Sequence, residues 1–268
     1  MQAIQMILCD LDGTLLNPDG IVSERTRKAI HDVRQKGILF GIATGRSLHG
    51  VQKLVHDWQI ADDCDILMGF NGAELIDHQL HLHELQHALD GAYLKEIASH
   101  YLDMDVNLIV YDGGDMYCTR DDEIGDRIAT HNYFTKKHLD LATFFENKSY
   151  IKLLVAVDPA RMDQVIERSK TFQSPHYRCF RSAPHLFEYV HPEVSKSHGI
   201  QHICNLHGFD MNAVCVFGDA QNDMEMVRDC GLGICMANGD EVTKAVAKAI
   251  TLSNAEDGVA TYIEQHFL

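Results

Sequence analysis

Four carboxylates stand out in this chain of 268 residues because they come in two close pairs. Asp10 and Asp12 sit two apart where an apolar run, Ile4 to Leu11, ends. At that spacing on a strand end, both side chains are expected on one side. Asp219 and Asp223 follow a second apolar run, Ala213 to Phe217. Asn222 and Asp223, three and four residues after Asp219, are expected on one face of a first helical turn. Close carboxylates repel one another and stay together only around a cation or a shared proton. Four acids at one sheet edge therefore call for positive charge, and an all-oxygen set suits Mg²⁺. Two further polar groups end or follow apolar runs: Thr44-Gly45-Arg46 and Lys196.

Those side chains need strands to deliver them. Ile4 to Leu11 reads as a buried strand, Ser23 as the N-cap of a helix that stops at Gly37, and Ile38 to Ala43 as a second strand. A helix over 47–57 and a strand over 65–69 continue an alternation typical of parallel α/β sheets. From about residue 82 the rhythm changes. Helices are expected over 88–102, 122–134 and 159–172. Strands are expected over 106–111, 115–119, 151–157, 177–181 and 187–190. The parallel rhythm resumes with helices over 196–206, 221–228, 240–247 and 258–266, and strands over 213–217, 231–236 and 249–252. The expected fold class is α/β, a Rossmann-like parallel-sheet core over 1–82 and 191–268 interrupted by an inserted α+β domain over 83–190. Ligands in open parallel sheets bind beyond the carboxyl ends of the strands, where these polar clusters fall.

Composition narrows the function. Lys and Arg number 23 against 39 Asp and Glu, a formal net charge of −16. No basic run is present, so charge-driven binding to nucleic acid or to an anionic membrane is not expected. An anionic substrate needs a bound cation or a local cluster of cationic groups. The first ten residues lack the basic n-region of a signal peptide, and no apolar run reaches the roughly 20 residues of a membrane span. The eight Cys have no C-x-x-C spacing, so reduced buried thiols in a cytoplasmic protein are expected rather than zinc. His78, His81, His83 and His87 form a run in which His81 and His83 are expected on one strand face, read as solvated edge residues.

Asp10-Leu11-Asp12-Gly13-Thr14, Thr44-Gly45-Arg46, Lys196 and Gly218-Asp219-…-Asn222-Asp223 resemble, in content and order, the four signature motifs of the haloacid dehalogenase superfamily of phosphohydrolases. Phe70-Asn71-Gly72-Ala73, Phe187-Glu188-Tyr189-Val190 leading to Lys196, and Glu256-Asp257-Gly258-Val259-Ala260 resemble its Cof-like branch. An insertion between Thr44 and Lys196 is similar to that branch's C2B-type cap. The resemblance implies a Mg²⁺-dependent phosphatase for a small phosphorylated metabolite, a sugar phosphate or a phosphorylated cofactor. It implies Asp10 as the nucleophile and Asp12 as the acid and base. The metal ligands would be Asp10, Asp219 and the backbone carbonyl of Asp12. Phosphate would meet the Leu11 and Gly45 N–H groups, Thr44, Lys196 and Asn222. Asp223 and Thr14 would orient the ligands, and Arg46 and Asn71 are candidate substrate contacts. Cap side chains would set specificity.

Asn71-Gly72 is also a hairpin signal by itself. Two departures from the family pattern are His198 near the lysine and Met236-Ala237-Asn238-Gly239, the latter with little expected effect. Alternative readings are a sugar phosphomutase on the same fold and a phosphate-binding regulatory module without turnover. No dinucleotide fingerprint follows the first strand. The protein is expected as a monomer or a small homo-oligomer.

Overall fold

A computed structural model describes residues 3–268. The chain forms two compact units, Met1–Glu84 with Ser195–Leu268, and Leu85–Val194. The sequence reading divided the chain a few residues earlier, at 82/83 and 190/191.

The first unit is built on β1 (Met6–Cys9), whose four residues are all buried. Ile7 and Cys9 face one apolar cluster, Met6 and Leu8 the other. A strand apolar on both faces belongs in the middle of a sheet covered on both sides. Then come α1 (Glu24–Gln35), β2 (Leu39–Ala43), α2 (Leu48–Asp57), β3 (Ile66–Gly69), β4 (Glu74–Asp77) and β5 (Leu82–Leu85). Ser23 caps α1 by accepting from the Thr26 N–H, and the Gly37 N–H closes the far end on the Arg34 carbonyl. Ser47 caps α2.

The second unit holds β6 (Leu89–Asp90), α3 (Gly91–Ser99), β7 (Asn107–Asp112), β8 (Asp115–Cys118), α4 (Glu123–His131), β9 (Thr135–His138), β10 (Ser149–Tyr150), β11 (Lys152–Ala156), α5 (Met162–Ser169), β12 (Arg178–Ala183) and β13 (Leu186–Val190). Its six-stranded sheet runs β12-β13-β11-β7-β8-β9. One face packs Leu153, Val155 and Tyr189 with α3 and α5; the other packs Ile109, Met116 and Leu154 with α4. The Tyr101 and Tyr189 hydroxyls share a buried hydrogen bond of 2.7 Å.

The chain returns to the first unit through α6 (Lys196–His207), β14 (Val214–Gly218), α7 (Met224–Asp229), β15 (Leu232–Met236), α8 (Glu241–Val246), β16 (Ala249–Thr251) and α9 (Gly258–His266). The sheet order is β16-β15-β14-β1-β2-β3-β4-β5. Pairing is parallel from β16 to β3, with Met6 opposite both Leu39 and Val214. Strands succeed one another outward from β1 in both directions. The order therefore reverses at β1, which makes its carboxyl end the ligand-binding crevice of such sheets. α1, α2 and α9 cover one face and α6 and α7 the other. Among the described residues no helix is long and apolar enough to cross a membrane.

Three expectations need correction. Strands β4, β5, β6, β9 and β10 were not foreseen, and β6 lies where the helix over 88–102 was expected to begin; peripheral strands of two to four residues, such as Thr135-Lys136-Lys137-His138, are too short or too polar for an apolar-run signal. His81 lies in a turn with φ 52°, before β5, so it shares no strand face with His83. Gln221–Asp223 is a 3₁₀ turn and α7 begins only at Met224, so Asn222 and Asp223 precede the α-helix.

Asp65 ties the start of this sheet together. Its carboxylate accepts from the Phe40 N–H at 2.9 Å, from Arg34 at 2.7 Å and from Gln79 at 2.8 Å, and it is buried. Asp65→Ala strands the mostly buried Arg34 and should destabilise the first unit by about 3 kcal/mol. Urea unfolding followed by fluorescence of Trp58, the single tryptophan and part of that unit's core, measures this. An unchanged midpoint contradicts the assignment.

Candidate active site

The site begins where β1 ends. Asp10 donates its N–H to the Phe217 carbonyl at 2.9 Å, which extends the β1–β14 ladder by one residue and fixes the backbone. The chain then turns sharply, with the Leu15 N–H bonding back to the Asp10 carbonyl and the Leu16 N–H to the Leu11 carbonyl. Gly13 makes this turn possible. Its φ is 86°, and a Cβ there would collide with the Asp219 carboxylate. A side chain is thus excluded both by conformation and by space.

Asp10 is 5% exposed and Lys196 is fully buried. The Lys196 ammonium donates to Asp10 Oδ1 and to Asp223 Oδ1, each at 2.5 Å. Burial alone would disfavour the ammonium, but Asp10 and Asp223 overcome it and hold the Lys196 pKa above its ordinary value. Burial, then repulsion from Asp223, pushes the Asp10 carboxyl well up, while Lys196 pulls it down. The other Asp223 oxygen accepts the Asp219 and Ala220 N–H groups at 2.9 and 3.1 Å. Asp223 therefore shapes the Gly218–Asp223 loop and anchors the lysine together.

Asp219 accepts from the Thr14 hydroxyl at 2.7 Å. Burial pushes its pKa up to about 6, moderated by that bond and reinforced by Asp223. Asp10, Asp219 and Asp223 each bring a carboxylate oxygen within 4.8 Å of the others. Hard oxygen donors at that spacing fit a small divalent cation.

Asp12 does not join them. Its side chain is 58% exposed and turns to Arg46, with Nε to Oδ2 at 2.8 Å. A strand running through both aspartates would set them on one side, but β1 stops at Cys9 and the turn separates them. Arg46 is thus held by Asp12.

Thr44 and Asn71 come together. Thr44 is buried, its Oγ1 accepts the Arg46 N–H at 3.1 Å, and its carbonyl accepts the Asn71 N–H at 2.9 Å. Asn71 in turn accepts from Asn222 at 3.2 Å, and a Cβ on Gly45 would lie 3.2 Å from the same Asn71 oxygen. Asn71 does sit at the bend of a hairpin, β3 to β4. Phe70 and Asn71 both have positive φ, 47° and 56°, a strained arrangement for two side-chain-bearing residues. Backbone bonds to Arg46 and Thr44 hold it. The bend also rests on α6, because Gly72 and Gly199 approach so closely that a Cβ on Gly199 would lie 2.9 Å from the Gly72 Cα.

Sequence reasoning missed Asn238. Its amide donates to the Gly13 carbonyl at 2.8 Å, and its carbonyl oxygen accepts the Asn254 N–H. Asn254 donates to the Leu16 carbonyl. The segment expected to matter little thus braces the turn that carries Asp10 and Asp12. A polar residue two positions after the end of β15 was the available signal. Glu74 was missed too; it accepts the Leu48 N–H at the start of α2.

A model of the family described as haloacid dehalogenase-like hydrolases matches residues 7–263. The chain is 28% identical to the candidate phosphatase YxeH of Bacillus subtilis, with 97% of each chain covered. It is 26% identical to the 5-amino-6-(5-phospho-D-ribitylamino)uracil phosphatase YcsE of the same organism, covering 99% of this chain and 96% of that one. Among solved structures it is similar to a haloacid dehalogenase-like hydrolase from Bacteroides thetaiotaomicron, with a TM-score of 0.87, 25% identity, and 98% and 100% of the two chains covered.

A carboxyl with a raised folded pKa binds its proton in the folded state at a pH where the unfolded chain has lost it. Its ionisation therefore penalises the fold increasingly as pH rises from about 3.9 to about 6 for Asp219. Asp219→Asn should match the parent near pH 4 and melt a few degrees higher at pH 7, in chelator. Equal melting temperatures at both pH values contradict the burial argument.

Proposed function

Because the chain belongs to the haloacid dehalogenase-like hydrolases, we propose that it is a Mg²⁺-dependent phosphatase of a small phosphorylated metabolite, acting through an aspartyl-phosphate on Asp10. The observation that carries this reading is the buried Lys196 ammonium held by Asp10 and Asp223, with the half-buried Asp219 carboxylate within 4.8 Å of both. Three carboxylates against one ammonium leave the cluster negative, which asks for a further cation. Asp10, Asp219 and the Asp12 carbonyl would hold Mg²⁺, which when bound neutralises repulsion between carboxylate and phosphate.

The chain's own groups supply the rest. Lys196 engages Oδ1 of Asp10, and Oδ2 attacks phosphorus. As the Oδ2–P bond forms, the ester P–O bond breaks and Asp12 gives its proton to the leaving oxygen. Water then attacks phosphorus, Asp12 takes the proton back, and the Asp10–P bond breaks to release phosphate. For this Asp12 must part from Arg46, so the Asp12–Arg46 pair is the resting arrangement of the acid. The Leu11 and Gly45 N–H groups, the Thr44 hydroxyl and Asn222 receive the phosphoryl oxygens. Arg46 and Asn71 border that place as substrate contacts.

A panel of phosphorylated metabolites assayed for phosphate release, with and without Mg²⁺, tests the reading. The substrate named for YcsE heads the panel. Release from at least one ester, abolished by chelator and restored by Mg²⁺, is expected. Isomeric phosphate esters without free phosphate would favour a mutase, and binding without turnover a regulatory module. Asp10→Asn should lower turnover by roughly 10⁴-fold or more, the scale of losing a nucleophile. Retention of a few per cent of activity rules out the covalent route.

A further inference from the structure

Far along the chain from the acid cluster, a second convergence of metal-ligating groups occurs within the inserted unit. His87 lies just after β5, on the segment where the chain enters that unit; His191 and Glu193 lie just after β13, where it leaves. Their ligating atoms fall within 4.8 Å of one another. His87 Nδ1 is 3.4 Å from Glu193 Oε2, and the two imidazoles stack with centroids 5.2 Å apart. His87 also has φ 57°. A side chain held in the left-handed region is the kind of local strain that gathers at ligand clamps.

We propose that His87, His191 and Glu193 form a transition-metal site, suited to Zn²⁺, that ties together the two chain segments at the ends of the insertion. Two imidazoles and one carboxylate are three protein ligands, leaving a fourth tetrahedral position for water. Imidazole donors select Zn²⁺ over Mg²⁺, so this chemistry is separate from that of the acid cluster. The near-parallel rings must each turn about χ2 to direct nitrogen lone pairs at one ion, a soft torsion for histidine. The Glu193 N–H that now donates to His191 Nδ1 at 3.2 Å passes to water, which the exposed backbone there allows. A net charge of −16 raises the local concentration of any cation.

The test uses the intact protein with excess Mg²⁺ present, so that the acid cluster is not the vacant competitor. Titration with Co²⁺, a spectroscopic substitute for Zn²⁺, should give one saturating equivalent with the intense d–d absorption of a tetrahedral site. Excess Zn²⁺ should displace it. His87→Asn keeps a residue that tolerates positive φ but loses the ligand; His191→Gln removes the second. Each should weaken Zn²⁺ binding by roughly 100-fold or more, since even groups behind the ligands are worth 10–100-fold, while the circular dichroism spectrum stays as in the parent. Absence of a saturable equivalent, or one of unchanged affinity in both variants, overturns the proposal. Because phosphate release is not read, this outcome is independent of whether the acid cluster turns over an ester.

Discussion

The buried ammonium of Lys196 is the constraint on which the site rests. An ammonium with no exposure carries a desolvation penalty of several kcal/mol and persists only with charge partners in good geometry. Asp10 and Asp223 supply them. Each partner is fixed independently, Asp10 through the β1–β14 ladder and Asp223 through two N–H groups of its own loop. One amine therefore locks the end of β1, the start of α6 and the loop after β14 into a single arrangement. Loss of the lysine would leave two carboxylates repelling one another in a dry place.

The close packing around that lock explains where small residues fall. Gly13 lets the Asp219 carboxylate press against the turn after β1, and the Gly72–Gly199 approach lets the hairpin bend lie on the first turn of α6. The strained pair Phe70 and Asn71 is held by backbone bonds to Thr44 and Arg46. Through Asn71 to Asn222 the bend reaches the loop that holds Asp223. The polar side chains thus come from five chain segments far apart in sequence. They meet because each follows a strand of the same sheet, an adjoining bend or the first turn of α6.

Much of this was legible in the residues. Apolar runs with a serine cap at Ser23 announce the strand–helix rhythm, and acids at strand ends announce a cation site. Contacts between distant segments were not legible. The turning of Asp12 toward Arg46 depends on where β1 stops, which apolar content does not fix to the residue. Asn238 braces Gly13 through a tertiary hydrogen bond with no local pattern. Strands such as β9 are polar because they lie at a sheet edge, so their signal is pairing rather than hydrophobicity. His87 was read only as part of a run of solvated histidines, and nothing local to it points to His191, more than 100 residues on, on which its ring stacks.

The sheet's connectivity also governs how the chain leaves the ribosome. β1 pairs with β14, which begins at Val214. At 5–20 residues per second, that partner emerges about 10–40 s after β1. In the interval the contiguous unit Leu85–Val194 is synthesised whole and can fold first, although it lies in the middle of the chain. Meanwhile β1, β2 and β3, among the most apolar strands of the molecule, wait with an open edge, the surface most prone to pairing with a neighbouring nascent chain. The interval before residue 214 is thus the period in which a holdase chaperone has most to protect.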